Sequence, residues 1–497
     1  MSDRYAAFAA RAREGGMIPV TREVVLDGDT PVSAFRKLHR GLYGFLLESL
    51  EGGERWARYT FLATDPREVL RYEGRTCRRW TAVDGWQDSA TDVAPLDHLG
   101  SLMRRNPPAV VPGLPRFTGG AVGFIGYDVV RTLERLPNAP PDDRQLPDAL
   151  LMVVDTLLVL DNLYNRATVI ASVEVEAGAN ESALRQLFGA AEARIDLWLS
   201  RLEAPGSLMP LATDRDVAYP RVETPYADEA FRRDVLRIKE HIAAGDIFQA
   251  VLSRRLDAPA PDPFLTYRYL RALNPAPYLY YLQFDDLFIV GSSPEVLVRV
   301  EDGEITVRPI AGTRPRGATP EADRVLEAEL LADPKERAEH LMLVDLGRND
   351  VGRVASFGTV HLTEFLTVER YSHVMHLVSE VRGTLRPGCD ALAAFAASFP
   401  AGTVTGAPKV RAMQILDSLE PRRRGPYAGA VGYVGWGART LDTAIAIRTC
   451  VIRGGAAWVQ AGAGIVADSD PDAEWHETEA KARAMLTALA LAGANGS

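Results

Sequence analysis

The chain has 497 residues, 47% apolar and 25% charged, which excludes disordered and fibrous classes and gives length for about three average domains, or two large ones sharing a core. Its net charge of -10 lacks the basic footprint of a bulk nucleic-acid binder, and three widely spaced cysteines, Cys77, Cys389 and Cys450, supply neither a disulfide framework nor a structural zinc site. The N-terminal MSDRYAAFAARAREGG has no signal-type apolar core, the most apolar run, 149–160, is broken by Asp155, and a reducing cytoplasm is the expected setting.

In chain order, residues 42–65 read as a hairpin around the turn Glu51-Gly52-Gly53-Glu54. FTGGAVGFIGYD (117–128) alternates Gly with Val, Phe, Ile and Tyr, as a strand does where another backbone passes close. Its glycine spacing is not G-x-G-x-x-G, so a dinucleotide loop is excluded; a similar phrase, GAVGYVG, returns at 429–435 with no repeat period joining the two. Residues 184–203 carry helical spacing and stop at Pro205-Gly206, and a loose polar stretch to about Pro225 sets an expected boundary between regions 1–220 and 225–497. Residues 226–256 predict an amphipathic helix ending at Gly245, then a strand carrying Phe248, Ala250 and Leu252. NPAPYLYYLQF, from Asn274, is a Pro-punctuated turn into an aromatic strand, while IVGSSPEVLVRV and RPIAGTRPRG read as turn-rich segments between strands. Strand runs with few βαβ alternations predict an α+β fold of antiparallel sheets.

Two segments stand out chemically. Asp470-Pro471 is a strong helix opening, and on the helix that follows Glu474, Glu477 and Lys481 lie at i, i+3 and i+7, on one face. Asp333-Pro334 repeats the device, with Glu336 placed to complete a capping box and with Glu336, Glu339 and His340 at i, i+3 and i+4. Two helices that each offer a Glu pair suit Mg²⁺, which takes a few carboxylates plus water and substrate oxygens; the Cys and His ligands that zinc prefers do not cluster here. Only five lysines occur among 56 basic residues, and three of them, Lys335, Lys409 and Lys481, fall in segments singled out for chemistry. The spacing around Lys409 in FPAGTVTGAPK is not that of a phosphate loop.

Taken together, PIAGT (309–313), KERAEHLMLVDLGRND (335–350), YSHVMHLVSEV (371–381), FPAGTVTGAPKVRAM (399–413) and AGAGIVADSDP (461–471) resemble the chorismate-utilising enzymes, most closely the anthranilate synthase component I family. The resemblance covers nearly all of 225–490 and touches the N-terminal half through LLES (46–49) and the 117–128 strand. It implies antiparallel sheets packed orthogonally, and amination of chorismate to anthranilate and pyruvate with ammonia from a separate glutamine amidotransferase subunit, component II. It implies Mg²⁺ among Glu336, Glu339, Glu474 and Glu477, and substrate contacts from Gly312, Thr313, Tyr427, Arg448, Gly462, Ala463, Gly464 and Lys481. Glu295 corresponds to the acid that protonates the departing hydroxyl, with a pKa expected to be raised by a nearby acidic cluster, and His376 to the group that helps remove the ring proton; His340 and His373 are expected core residues. Gln249 stands where water-adding relatives carry Lys, which favours amination, and Ala311 stands where aminodeoxychorismate synthases, the alternative reading, commonly carry Lys. Ser49, Pro277, Tyr278 and Leu279 match the family's tryptophan pocket and imply feedback inhibition.

Overall fold

The computed structural model describes residues 2–50, 58–206, 208–212, 217, 219–371 and 374–495. The turn expected at 51–54 and His373 therefore lie outside the described residues. Two large antiparallel sheets, one of 11 and one of 12 strands, form the framework, with helices around them. Each sheet draws strands from both sides of the expected boundary, which itself falls in the connection between the helices Glu181–Glu203 and Asp228–Ala243.

In the first sheet the two halves of the chain meet where Tyr43–Glu48 pairs with Tyr278–Phe284, Glu48 lying opposite Leu279. In the second they meet where Gly120–Ile125 pairs with Ala430–Gly435, so the two similar glycine phrases are neighbouring strands, Gly123 opposite Gly432. A Cβ on either glycine would collide with a backbone carbonyl of the next strand, Leu150 O or Asp442 O, which is the close approach the alternation predicts.

The strand Ala149–Val154 explains its unbroken apolar run. Leu150, Met152 and Val154 join the core between the sheets, whereas Ala149, Leu151 and Val153 face the second core, beneath the helices Pro95–Arg104 and Ala391–Ser398. A period-2 backbone buried on both faces has no polar side to show. Two expectations are corrected. IVGSSPEVLVRV and the 310–315 segment are strands themselves, Leu287–Ser293, Val296–Glu301 and Ile310–Pro315: Pro294 falls between two strands, Pro315 ends one, Gly312 sits at a bulge, and Gly291 is an interior strand position whose missing Cβ leaves room for the Tyr280 ring. Phe248 is 71% exposed and precedes the strand Gln249–Pro259, which buries Ala250 and Leu252.

Both acidic helices start as expected. Asp333 accepts from the backbone N–H of Lys335 and Glu336 at the head of Pro334–Gly352, and Asp470 from those of Asp472 and Ala473 at the head of Pro471–Asn495. Glu336 does not close a capping box; its carboxylate is taken by Arg314, 3.2 Å away. Lys409 is an anchor, donating to Asp350 at 3.0 Å and to the Ser398 carbonyl at 3.2 Å, and His340 is buried against Ser379, 2.7 Å from its hydroxyl.

Candidate active site

A cleft of about 660 Å³ opens where ends of both sheets meet the two acidic helices. Gln249, Glu295, Gly312, Thr313, His376, Tyr427, Arg448, Gly462, Gly464 and Lys481 line it, as do all four glutamates, Glu336, Glu339, Glu474 and Glu477. Ala463 is the exception: on the strand Ala456–Ile465 the cleft receives Gly462 and Gly464, and period 2 turns the Ala463 side chain into the core with Leu252, Ile415 and Leu416. The two glycines leave space for functional side chains, since a Cβ on Gly462 would lie 2.6 Å from the Tyr427 hydroxyl and one on Gly464 2.6 Å from Gln249 Nε2.

Gly312 sits at a bulge between Ile310–Pro315 and Val374–Thr384, with φ +67°, a conformation that only glycine adopts without strain. The bulge aims the Gly312 carbonyl at His376 Nδ1, 3.0 Å away, with the Thr313 hydroxyl at 3.1 Å from the same nitrogen. A carbonyl only accepts, so Nδ1 carries the proton and Nε2 is left as a base. Burial lowers the pKa of His376, which keeps the ring neutral and able to accept a proton.

Glu295 is buried, and its pKa is raised to about 7. The cause differs from the expected acidic neighbours: burial disfavours the carboxylate, while the Thr403 hydroxyl and the Lys481 ammonium act in the opposite direction. Arg448 occupies the left-handed region at φ +51°, a strained conformation for a non-glycine residue, at the turn between Leu441–Ile445 and Thr449–Arg453. Its guanidinium faces the cleft, and among the described residues no side chain or carbonyl accepts a hydrogen bond from it; burial lowers its pKa, yet a guanidinium stays charged. Lys481 donates to the Gly462 carbonyl at 3.0 Å and pairs with Glu477 at 2.5 Å.

The four glutamates present oxygen alone, the donor type of a hard divalent cation. Glu474 Oε2 is buried without a hydrogen-bond partner, and Glu339 has its pKa raised by burial and then by the charges of Glu336 and Glu477. An orphaned carboxylate oxygen among mutually repelling acids fits a cation site. Among the described residues no three such groups form a ready cage, so an ion there would have to complete its shell with water and substrate.

Asn274, Thr403, Gln460 and Lys335 also line the cleft without having been assigned a role. Thr403 lies inside a motif that carried the resemblance, and Lys335 was marked by lysine scarcity; nothing in the sequence distinguishes Asn274 or Gln460. A second, separate cavity gathers Ser49, Pro277, Tyr278 and Leu279 with Tyr59, Phe61 and Tyr433. At its floor Asp442 accepts from Tyr278 at 2.9 Å and pairs with Arg116 at 3.0 Å and Arg299 at 2.8 Å.

The profile of the family described as chorismate binding enzyme matches residues 46–487. The chain is 50% identical over 483 residues to anthranilate synthase component 1 of Pseudomonas putida, covering 96% of each chain. It is 49% identical to that of Pseudomonas aeruginosa PAO1, covering 98% of each. Among solved structures, anthranilate synthase component I from Streptococcus pneumoniae TIGR4 superposes with a TM-score of 0.76 at 37% identity, covering 94% of this chain and 99% of that one. The menaquinone-specific isochorismate synthase of Escherichia coli, with a TM-score of 0.67 and 19% identity over 98% of this chain and 99% of its own, shares the fold. From its motifs, its two-sheet fold and these matches, the chain belongs to the chorismate-binding enzyme family.

Proposed function

We propose that the chain is the chorismate-aminating subunit of an anthranilate synthase, converting chorismate and ammonia to anthranilate, pyruvate and water. The observation that carries this reading is a buried carboxyl with a pKa of about 7, Glu295, in one cleft with a neutral histidine base, His376, and with no lysine at position 249 or 311. Arg448 and Tyr427 bind the enolpyruvyl carboxylate, for which a guanidinium fork is well shaped. Protonated Glu295 gives its proton to the ring hydroxyl, which leaves as water while ammonia adds two carbons away. Gln249 is no base for water, so ammonia prevails as nucleophile. His376 Nε2 then takes the proton from the aminated carbon, the ring C–O bond of the ether breaks and the ring becomes aromatic, while the departing enolpyruvate takes up a proton on its methylene carbon to become pyruvate.

Glu336, Glu339, Glu474 and Glu477 would hold Mg²⁺, which when bound supplies positive charge for the ring carboxylate. Ammonia comes from a glutaminase subunit: Cys77 and Cys450 are buried, and among the described residues no histidine base is hydrogen-bonded to any of the three thiols, the pairing a glutaminase nucleophile needs. Tryptophan binds the second cavity as a feedback inhibitor, its indole among Tyr59, Phe61 and Tyr433. Three unpaired thiols, and the lack of any membrane-crossing helix among the described residues, support a cytoplasmic setting.

The test is chromatography of the purified chain with chorismate, ammonium and Mg²⁺. Anthranilate with equimolar pyruvate is expected, and glutamine should replace ammonium only when the partner is added. The alternative, an aminodeoxychorismate synthase, would give 4-amino-4-deoxychorismate without pyruvate.

A further inference from the structure

Behind the wall of the cleft lies a buried ion pair that the chemistry above does not use. Arg424 meets Glu420, the residue that ends the helix Lys409–Leu419; the two are 4% and 6% exposed and form a fork, Nε to Oε2 at 2.8 Å and Nη2 to Oε1 at 2.7 Å. Two buried charges add little net stability, since apolar side chains can fill the same space as well. The guanidinium makes contacts that apolar side chains cannot. Its Nη1 donates to the Val404 carbonyl and its Nη2 to the Val251 carbonyl, both at 2.7 Å, and its central carbon lies 5.5 Å from the centre of the Tyr427 ring.

These contacts fall on three separate stretches of chain, and Val251, Val404 and Tyr427 all line the cleft, whereas Arg424 does not. Val404 follows Thr403 in the turn Gly402–Val404, and Val251 shares a face of the strand Gln249–Pro259 with Gln249. Glu420 extends the tie, because its Oε1 accepts from the Ser253 N–H at 2.9 Å and from the Ser253 hydroxyl at 2.7 Å, and that hydroxyl accepts from Gln460 at 2.9 Å. A planar fork holds its donors at fixed angles, so the segments it binds are fixed relative to one another.

We propose that Arg424 is a positioning residue for the amination, tying the Val251 strand, the Thr403–Val404 turn and Tyr427 into one frame that presents the Tyr427 hydroxyl to the enolpyruvyl carboxylate. The inference rests on the cleft being a chorismate-aminating site. Arg424 touches neither substrate nor a reacting atom, and acts through the groups it holds; a misplacement of about 1 Å in such groups can cost about 10²-fold in rate.

The experiment compares two substitutions with a control. Arg424→Lys keeps the charge but offers one compact ammonium, which cannot serve both carbonyls and Glu420 with the geometry of the fork. Glu420→Asp keeps both charges and draws the fork back by one methylene. Arg131→Lys is the control, because Arg131 forks onto Asp417 of the same helix at 2.8 and 2.9 Å and none of its partners lines the cleft. Steady-state kinetics are measured with chorismate, ammonium and Mg²⁺ below the onset of melting of each variant. A smaller folded fraction lowers the maximal rate and leaves KM unchanged, so chorismate KM reads positioning apart from stability. In Arg424→Lys it should rise about tenfold while kcat falls about 10–100-fold, and in Glu420→Asp it should rise about threefold. Arg131→Lys should keep KM within about twofold, whatever it loses in melting temperature. The proposal is overturned if KM stays within about twofold in both Arg424→Lys and Glu420→Asp, or if Arg131→Lys raises it as much as they do. Should Arg424→Lys yield no folded chain, Glu420→Asp decides alone. A parent chain that does not aminate chorismate with ammonium is a separate result, and it removes the reading of the cleft together with this one.

Discussion

Replacing Glu295 by Gln separates catalysis from stability in opposite directions. Burial moves this carboxyl from 4.5 to about 7. Because its folded pKa lies above the unfolded value, the favourable protonated state is fully available below about pH 4.5 and is lost as pH rises through about 7. At higher pH the buried carboxylate costs up to about 3 kcal/mol, an order of magnitude that Gln, which never ionises, avoids. Glu295→Gln should therefore unfold at higher denaturant concentration than the parent at about pH 8–9 and match it near pH 5. Its turnover should fall by roughly 10²–10⁴-fold, about 3–5 kcal/mol of barrier, with chorismate KM little changed. In the parent, kcat measured at constant free ammonia should decline above about pH 7 as the acid form empties, and that limb should vanish in the variant. A parent kcat that is flat from about pH 6 to pH 9 would refute the assignment of Glu295 as the acid, and a variant less stable at high pH would refute burial as the cause of its pKa.

Three further outcomes are expected. Glu339→Gln and Glu477→Gln should each lose at least about 10²-fold in turnover, and Glu339→Gln should melt at the same temperature as the parent or higher, because like-charge repulsion is relieved; full turnover in excess chelator would end the Mg²⁺ reading. Ser49→Arg should keep its turnover and lose tryptophan inhibition, since a long cation would occupy the cavity between Ser49 and Tyr278; inhibition that persists in the variant places the effector elsewhere. His376→Ala should accumulate the non-aromatic amino intermediate, detectable by chromatography, and an unchanged product ratio would mean that the ring proton leaves to another base.

Much of the site was legible because its parts are local. Asp-Pro helix starts, Glu pairs at i, i+3 and glycine turns are short-range signals, and the residues they single out, Glu336, Glu339, Glu474, Glu477 and Gly312, all line one cleft. The Ala463 side chain lies in the core and not in the cleft because strand parity depends on where the cleft opens, which no local pattern records. The cause of the Glu295 shift was missed for the same reason: burial of a carboxyl on a turn between strands is a tertiary property. The pairing of the two glycine phrases joins strands about 300 residues apart, and a partner choice at that separation leaves no local trace in the sequence.

The seams between the two halves also fix when the molecule can fold. Leu279 lies opposite Glu48, so roughly 230 residues must leave the ribosome after the strand Tyr43–Glu48 before its neighbour exists, and Gly120–Ile125 waits longer still for Ala430–Gly435. Until then the nascent chain exposes two apolar strand edges, a state that invites pairing with other chains. Once both seams close, neither half can open without exposing the other, and thermal unfolding should pass through a single transition in which the cleft and the second cavity are lost together.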